Sequence, residues 1–308
     1  MGRFFATSRT FHHELTSLYD FVNPTAVAIW NLRWQVQGYL GVHPEAEKAE
    51  IDGRFVSGSG IRAANLRKRY MDSDWDQQAS ELASFALYGA ISLYEGWLAS
   101  FSDLSQRQKK QLQHPTDPAS ASRGATALLR QLQTKQSDIV EAVYAPSLRA
   151  DRRYAPARLD DLLKIYRCFK EIRNAFAHAG GVAGRRAEEA YFTASPVTAG
   201  LGMRGASVQL PHVTTGAKIE FGLNHFKAIA AVLYRILITI DAELAITSFG
   251  TKHLLDTWRL AHPSLVQLPA DPIRRSGKLE FLNNRAGLPP PTQLDDLYSF
   301  LRSERLVV

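Results

Sequence analysis

Three side chains near the middle of the chain have types and a spacing suited to acid–base work on a phosphate. They are Arg173, Asn174 and His178, within Glu171-Ile172-Arg173-Asn174-Ala175-Phe176-Ala177-His178-Ala179-Gly180-Gly181. Cleavage of RNA by attack of the ribose 2′-hydroxyl on the adjacent phosphate needs a group to take the hydroxyl proton and another to protonate the leaving 5′-oxygen. It also needs positive charge on the phosphoryl oxygens. Imidazole titrates near neutrality and serves either proton transfer, and a planar guanidinium fits two phosphate oxygens at once. One chain offers a single such histidine. Two copies about a two-fold axis offer two histidines and two arginines to one phosphate, so the mechanism implies a homodimer with a composite active site. The competing source of a second imidazole is His212 or His225 folding back in the same chain. No cluster of carboxylates or histidines at ligand spacing accompanies the motif, so neither metal nor cofactor is expected, and the product would be a 2′,3′-cyclic phosphate. The same residues also suit a plain helix C-terminus, in which His178 and Arg173 complement the dipole and cover apolar surface.

The element that must position these groups is a helix beginning near Arg158. Leu159, Leu162, Tyr166, Phe169, Ile172 and Phe176 fall three or four residues apart and share one face. Arg173 lies on that side, while Asn174 and His178, at i and i+4, project from a flanking strip. A guanidinium directed at a core is costly unless it meets an anion, so Arg173 calls for a partner, and Glu95 is the candidate. Gly180-Gly181 supply the left-handed conformations that end a helix, leaving His178 in the last turn.

The segment Cys168-Phe169-Lys170-Glu171-Ile172-Arg173-Asn174-Ala175-Phe176-Ala177-His178-Ala179-Gly180 resembles the signature of the HEPN superfamily, an arginine followed by a polar residue and then a histidine four to six positions after the arginine. The resemblance covers about residues 72–247. It implies an antiparallel helical bundle whose dimerisation juxtaposes two motifs, and metal-independent endoribonuclease activity in toxin–antitoxin, phage-defence or RNA-processing systems. An antitoxin or regulatory protein is then an expected partner. Arg173 corresponds to the phosphate binder, Asn174 to the polar position and His178 to the general acid or base. Some members of the superfamily are catalytically silent and bind RNA or a protein.

Composition sets the frame. The chain has 308 residues, 45% hydrophobic and 22% charged, with a net charge of +7. This is an ordinary globular balance with a mild bias toward a polyanionic partner such as RNA. A single cysteine, Cys168, excludes an intrachain disulfide and reads as a packing residue rather than a nucleophile. The longest apolar stretch, Ala228 to Ile240, is interrupted by Arg235 and too short to span a bilayer comfortably, so a cytoplasmic protein without membrane contact is expected.

The predicted fold is mainly α: an antiparallel helical bundle of HEPN type with N-terminal helices, a small β insertion and a C-terminal helical extension. Residues 1–71 form the N-terminal segment, 72–247 the bundle with the insertion near 187–222, and 248–308 the extension. Ser8 to Phe21 read as one helix and Asn23-Pro24-Thr25 as the opening of another, whose Trp30 and Trp34 are expected in the core. Tyr191-Phe192-Thr193, Val208-Gln209-Leu210 and Lys218-Ile219-Glu220-Phe221 read as short strands. Arg185, Arg186 and Arg204 in this segment are candidate RNA-binding residues, on chain proximity to the motif helix. Residues 105–122 read as a polar loop with at most a short helix, and His225 to Thr247 as the buried centre of the bundle.

Overall fold

The computed structural model describes residues 2–62, 64–117, 120 and 122–308. Among these the chain is helical, with no strand. The N-terminal part comprises α1 (Ala6–Val42), α2 (Lys48–Phe55), α3 (Leu66–Met71), α4 (Trp75–Ala99), α5 (Gln106–Gln111), α6 (Ala125–Gln133), α7 (Asp138–Val143) and α8 (Ala145–Arg149). Then follow α9 (Leu159–Ala179), α10 (Arg185–Ala194), α11 (Leu223–Ala245), α12 (Ser248–Ala261), α13 (Pro272–Arg285) and α14 (Leu294–Ser303).

Four long helices make the bundle. On α11 Phe226, Ile229, Val232, Leu233, Ile236, Leu237 and Ile240 are all buried, and the helix packs against α1, α4 and α9, as its all-round apolar sequence requires. α1 runs antiparallel to α11: Asp241 accepts the Phe4 amide at 2.8 Å and the Phe5 amide at 3.2 Å, while Tyr19 stacks near Phe226 at the other end. α1 is likewise antiparallel to α4, with Ser8 receiving the Trp97 indole N–H at 3.1 Å and Leu18 packed on Gly89. α9 is antiparallel to α11. Its N-terminal approach meets Thr239 through the Ala155 amide, and Phe176 near its end meets Phe221 just before α11.

Where the sequence reading and the fold differ, the causes are local. Asn23-Pro24 does not open a second helix, because α1 continues through Pro24. A proline inside a helix removes one N–H donor and costs ~3 kcal/mol or more. The packing of Val22 and Ala26 on either side carries the helix across, and the side-chain Nδ2 of Asn23 donates to the Tyr19 carbonyl at 3.1 Å. Phe4, Phe5, Phe11, Leu15 and Val22 therefore share the core of the 72–247 region. The distal half of α1 builds a satellite core of Val36, Leu40, Ala46, Ile51 and Tyr70. Trp30 and Trp34, expected inside, are 39% and 58% exposed, lying edge-to-face with each other where α1 outruns the bundle.

The expected β insertion does not form. Tyr191-Phe192-Thr193 lies in α10, where Ala187 and Ala194 recur at the helical period and are buried in a helix packed on α9. Residues 208–221 form neither helix nor strand and turn at 215–217, and Val208, Val213, Ile219 and Phe221 drop into the core. A lone bridge between Val182 and Lys218 is the nearest approach to a ladder in this segment. At the C-terminus Tyr144 donates to Asn283 of α13 at 2.6 Å and ties that helix to the bundle.

Candidate functional site

α9 is fixed at both ends. Asp160 in its first turn accepts the Thr116 amide at 3.0 Å and the Thr126 hydroxyl at 2.8 Å, which ties Thr116 and the start of α6 to it. At the other end Gly180 adopts φ 59° and Gly181 φ 86°. A Cβ on Gly181 would stand 2.9 Å from the Phe176 ring, so a side chain there is excluded on both counts. Leu159, Leu162, Tyr166, Phe169 and Ile172 are buried and Phe176 packs against the same core, each contributing roughly 2 kcal/mol. Cys168 is buried among them, and burial pushes its thiol up to about 12, a packing residue and not a nucleophile.

Arg173 meets the carboxylate chosen for it. Its Nη2 donates to Glu95 Oε2 at 3.3 Å, with Oε1 at 3.5 Å. Glu95 is shared, because Lys170, one turn back on α9, also pairs with it. Lys170 Nζ lies 5.9 Å from the centre of the Tyr166 ring, which meets Tyr94 edge-on at 4.7 Å, and burial together with the charge of Glu95 raises the Tyr166 hydroxyl. The arginine is partly occupied: Nη2 carries the pair, and Nε is buried without a partner among the described residues.

Asn174 and His178 lie on the neighbouring strip. Arg167 donates to Glu171 at 2.6 Å and Asn174 Nδ2 donates to the same carboxylate at 3.2 Å, so three polar groups one turn apart support each other. His178, in the last turn, is exposed and makes no side-chain hydrogen bond or ion pair among the described residues. Five residues separate Arg173 from His178, about 140° around the helix axis and about 7.5 Å along it. The two side chains of one chain therefore diverge.

A residue that sequence reasoning missed stands on the Arg167–Glu171 side. His114, just after α5, is influenced by Arg167, Lys170, Lys110 and Glu171, and burial, then these cations, pushes its imidazole below the ordinary histidine range. Lys170 donates to the adjacent Gln113 at 3.0 Å. Nothing in the 105–122 segment marks His114, since only the tertiary fold brings it to α9. Of the two histidines named as intrachain alternatives, His225 lies against Phe221, which itself meets Phe176 near the end of α9. His225 Nδ1 accepts the Gly222 amide at 3.0 Å and caps α11, and His212 lies beside Tyr191 and Thr214.

The three candidate RNA-binding arginines separate. Arg185 and Arg186 are exposed in the first turn of α10, next to the end of α9, with Arg185 paired to Glu189 at 2.7 Å. Arg204 instead lines a cleft between α1 and α11 that no residue of α9 touches. Among the described residues no group of three or more His, Cys, Asp or Glu is placed to hold a metal ion, and no helix is long and apolar enough to cross a membrane. No family model, curated protein or solved structure matches the chain.

Proposed function

We propose that the protein is a metal-independent endoribonuclease of the HEPN type, cleaving RNA by 2′-hydroxyl attack to leave a 2′,3′-cyclic phosphate in a phage-defence or toxin–antitoxin setting. The observation that carries this reading is the unpartnered, exposed imidazole of His178 at a glycine-terminated helix end, with a half-engaged guanidinium five residues before it. An accessible imidazole transfers protons, and the guanidinium neutralises charge building on the phosphoryl oxygens. Because Arg173 and His178 diverge around α9, a single helix end does not grip one phosphate with both. A second copy about a two-fold axis supplies the missing imidazole and guanidinium, which gives the homodimer a composite site. His225, whose ring lies 5.5 Å from Phe221 beside Phe176, is the intrachain competitor for the second proton transfer.

A second reading has its own observation. Arg173 held by Glu95 is in part a structural ion pair, and a catalytically silent module of the same build would bind RNA or a protein through its basic surface. Incubation of the purified protein with labelled RNA in a chelator separates the two. The ribonuclease yields cyclic-phosphate ends that disappear in His178→Ala. Binding without cleavage selects the silent module, and cleavage only with added magnesium or manganese removes the mechanism.

A further inference from the structure

The cleft that holds Arg204 lies between α1 and α11 and has a volume of about 860 Å³, within the size range of ligand pockets. Arg152, Arg153, Arg204, Lys227 and Arg235 line it, and no aspartate or glutamate does. Asp151, next to the cleft in the chain, is buried and already committed, to Arg3 at 3.1 Å and Arg153 at 2.9 Å. The other four cations have no carboxylate partner among the described residues; Arg235 donates only to the Gly202 carbonyl at 3.2 Å. Five like charges converging on one concavity repel one another, and burial followed by the charges of Arg153, Arg152 and Arg158 lowers the affinity of Arg235 for its proton.

The rim residue Arg204 is held in an unfavourable backbone conformation. Arg204 has φ 53°, a left-handed conformation that costs a non-glycine residue roughly 1 kcal/mol, and it sits in a turn between Gly202 and Gly205. The turn places a guanidinium at the cleft where a glycine would relax the backbone.

The aromatic rings narrow the ligand class. Tyr234 has the Arg153 guanidinium 4.5 Å over its ring and His12 at 4.8 Å, and Tyr19 is stacked near Phe226. These rings are engaged with protein groups, so the stacking platform that single-stranded nucleic acid uses is missing, while the donors for phosphate oxygens remain.

We propose that this cleft binds an oligophosphate anion, the linked phosphates of a nucleoside polyphosphate or of inorganic polyphosphate, through Arg152, Arg204, Lys227 and Arg235. A single phosphate leaves most of the convergent charge uncompensated, whereas two or three linked phosphates reach several cations at once. The site is separate from α9, so its occupancy does not depend on ribonuclease activity.

Binding of tripolyphosphate to the full chain is measured by calorimetry and thermal unfolding at fixed ionic strength, with sulfate as control. Tripolyphosphate is expected to bind at one site and to raise the melting temperature well beyond sulfate. Arg152→Glu combined with Lys227→Glu weakens binding at least tenfold, while Arg185→Glu with Arg186→Glu does not. Lys227→Gln, a milder change, weakens it severalfold and serves if the double reversal fails to fold. ATP and AMP distinguish the sources: ATP equal to tripolyphosphate assigns the phosphate chain alone, and tighter ATP binding assigns a nucleotide. Equal stabilisation by sulfate, affinity unchanged in the cleft variants, or binding of an RNA oligonucleotide where tripolyphosphate does not bind overturns the proposal.

Discussion

Replacing Arg173 and Glu95 separately distinguishes a phosphate-binding guanidinium from a structural one, because the two sides of the pair are not equivalent. At 3.3 Å and an effective dielectric of about 20 the gross attraction is about 5 kcal/mol, most of which desolvation and side-chain ordering offset. Both side chains are partly exposed, at 21% and 31%, which places the net contribution between that of a surface pair and a buried one, about 1–2 kcal/mol. Arg173→Ala leaves Glu95 still paired with Lys170, so no carboxylate is stranded and about 1 kcal/mol or less is expected to be lost. Glu95→Ala strands Lys170 and Arg173 beside each other and is expected to cost about 2 kcal/mol. Denaturant unfolding measures both losses, and cleavage of labelled RNA measures activity. A phosphate-binding Arg173 predicts the opposite order for catalysis, with Arg173→Ala losing on the order of a hundredfold or more in rate while remaining the more stable variant. If Arg173→Ala is the less stable protein, the shared-carboxylate argument fails; if it cleaves at the parental rate, Arg173 is a structural cation.

His178→Ala is expected to lower the cleavage rate about a hundredfold or more without change in the melting temperature, since the side chain is exposed and unbonded; a parental rate removes His178 from the mechanism. Mixing His178→Ala protein with wild type reports on the composite site: a shared site loses activity beyond the mutant fraction after subunit exchange, whereas independent intrachain sites lose it only in proportion. Burial lowers the proton affinity of His253, which lies against Phe4 and Phe5. Below the unfolded-state value of about 6.5 the unfolded chain therefore takes up the proton first, so this contribution to stability is complete above that pH and falls away as the pH drops through it. Melting temperatures between pH 8 and 5 are expected to fall less steeply for His253→Gln than for the parent, and parallel curves refute the assignment.

How far the sequence carried depended on whether a feature belonged to one helix or to several. The face of α9, the glycine exit and the burial of α11 follow from periodicity within one element, and these stand in the fold. Pro24 and Tyr191-Phe192-Thr193 were misread because local propensity lost to packing: Val22 and Ala26 hold α1 together, and Ala187 with Ala194 seat α10 on α9. His114 was invisible, since nothing near it in sequence marks it, and Arg204 was assigned to the wrong neighbourhood by chain proximity. Glu95 was found across 78 residues because one argument crosses helices, namely that a cation directed at a core must meet an anion. The same argument applied to Arg235 on α11 reaches a different end. Its surroundings hold Arg152, Arg153 and Arg204, and the one carboxylate nearby is already bound to Arg3 and Arg153. With that carboxylate already bound, the counter-charge to this half-buried guanidinium is incomplete, and for that reason the cleft rather than α9 is where a small anion is expected to stabilise this fold.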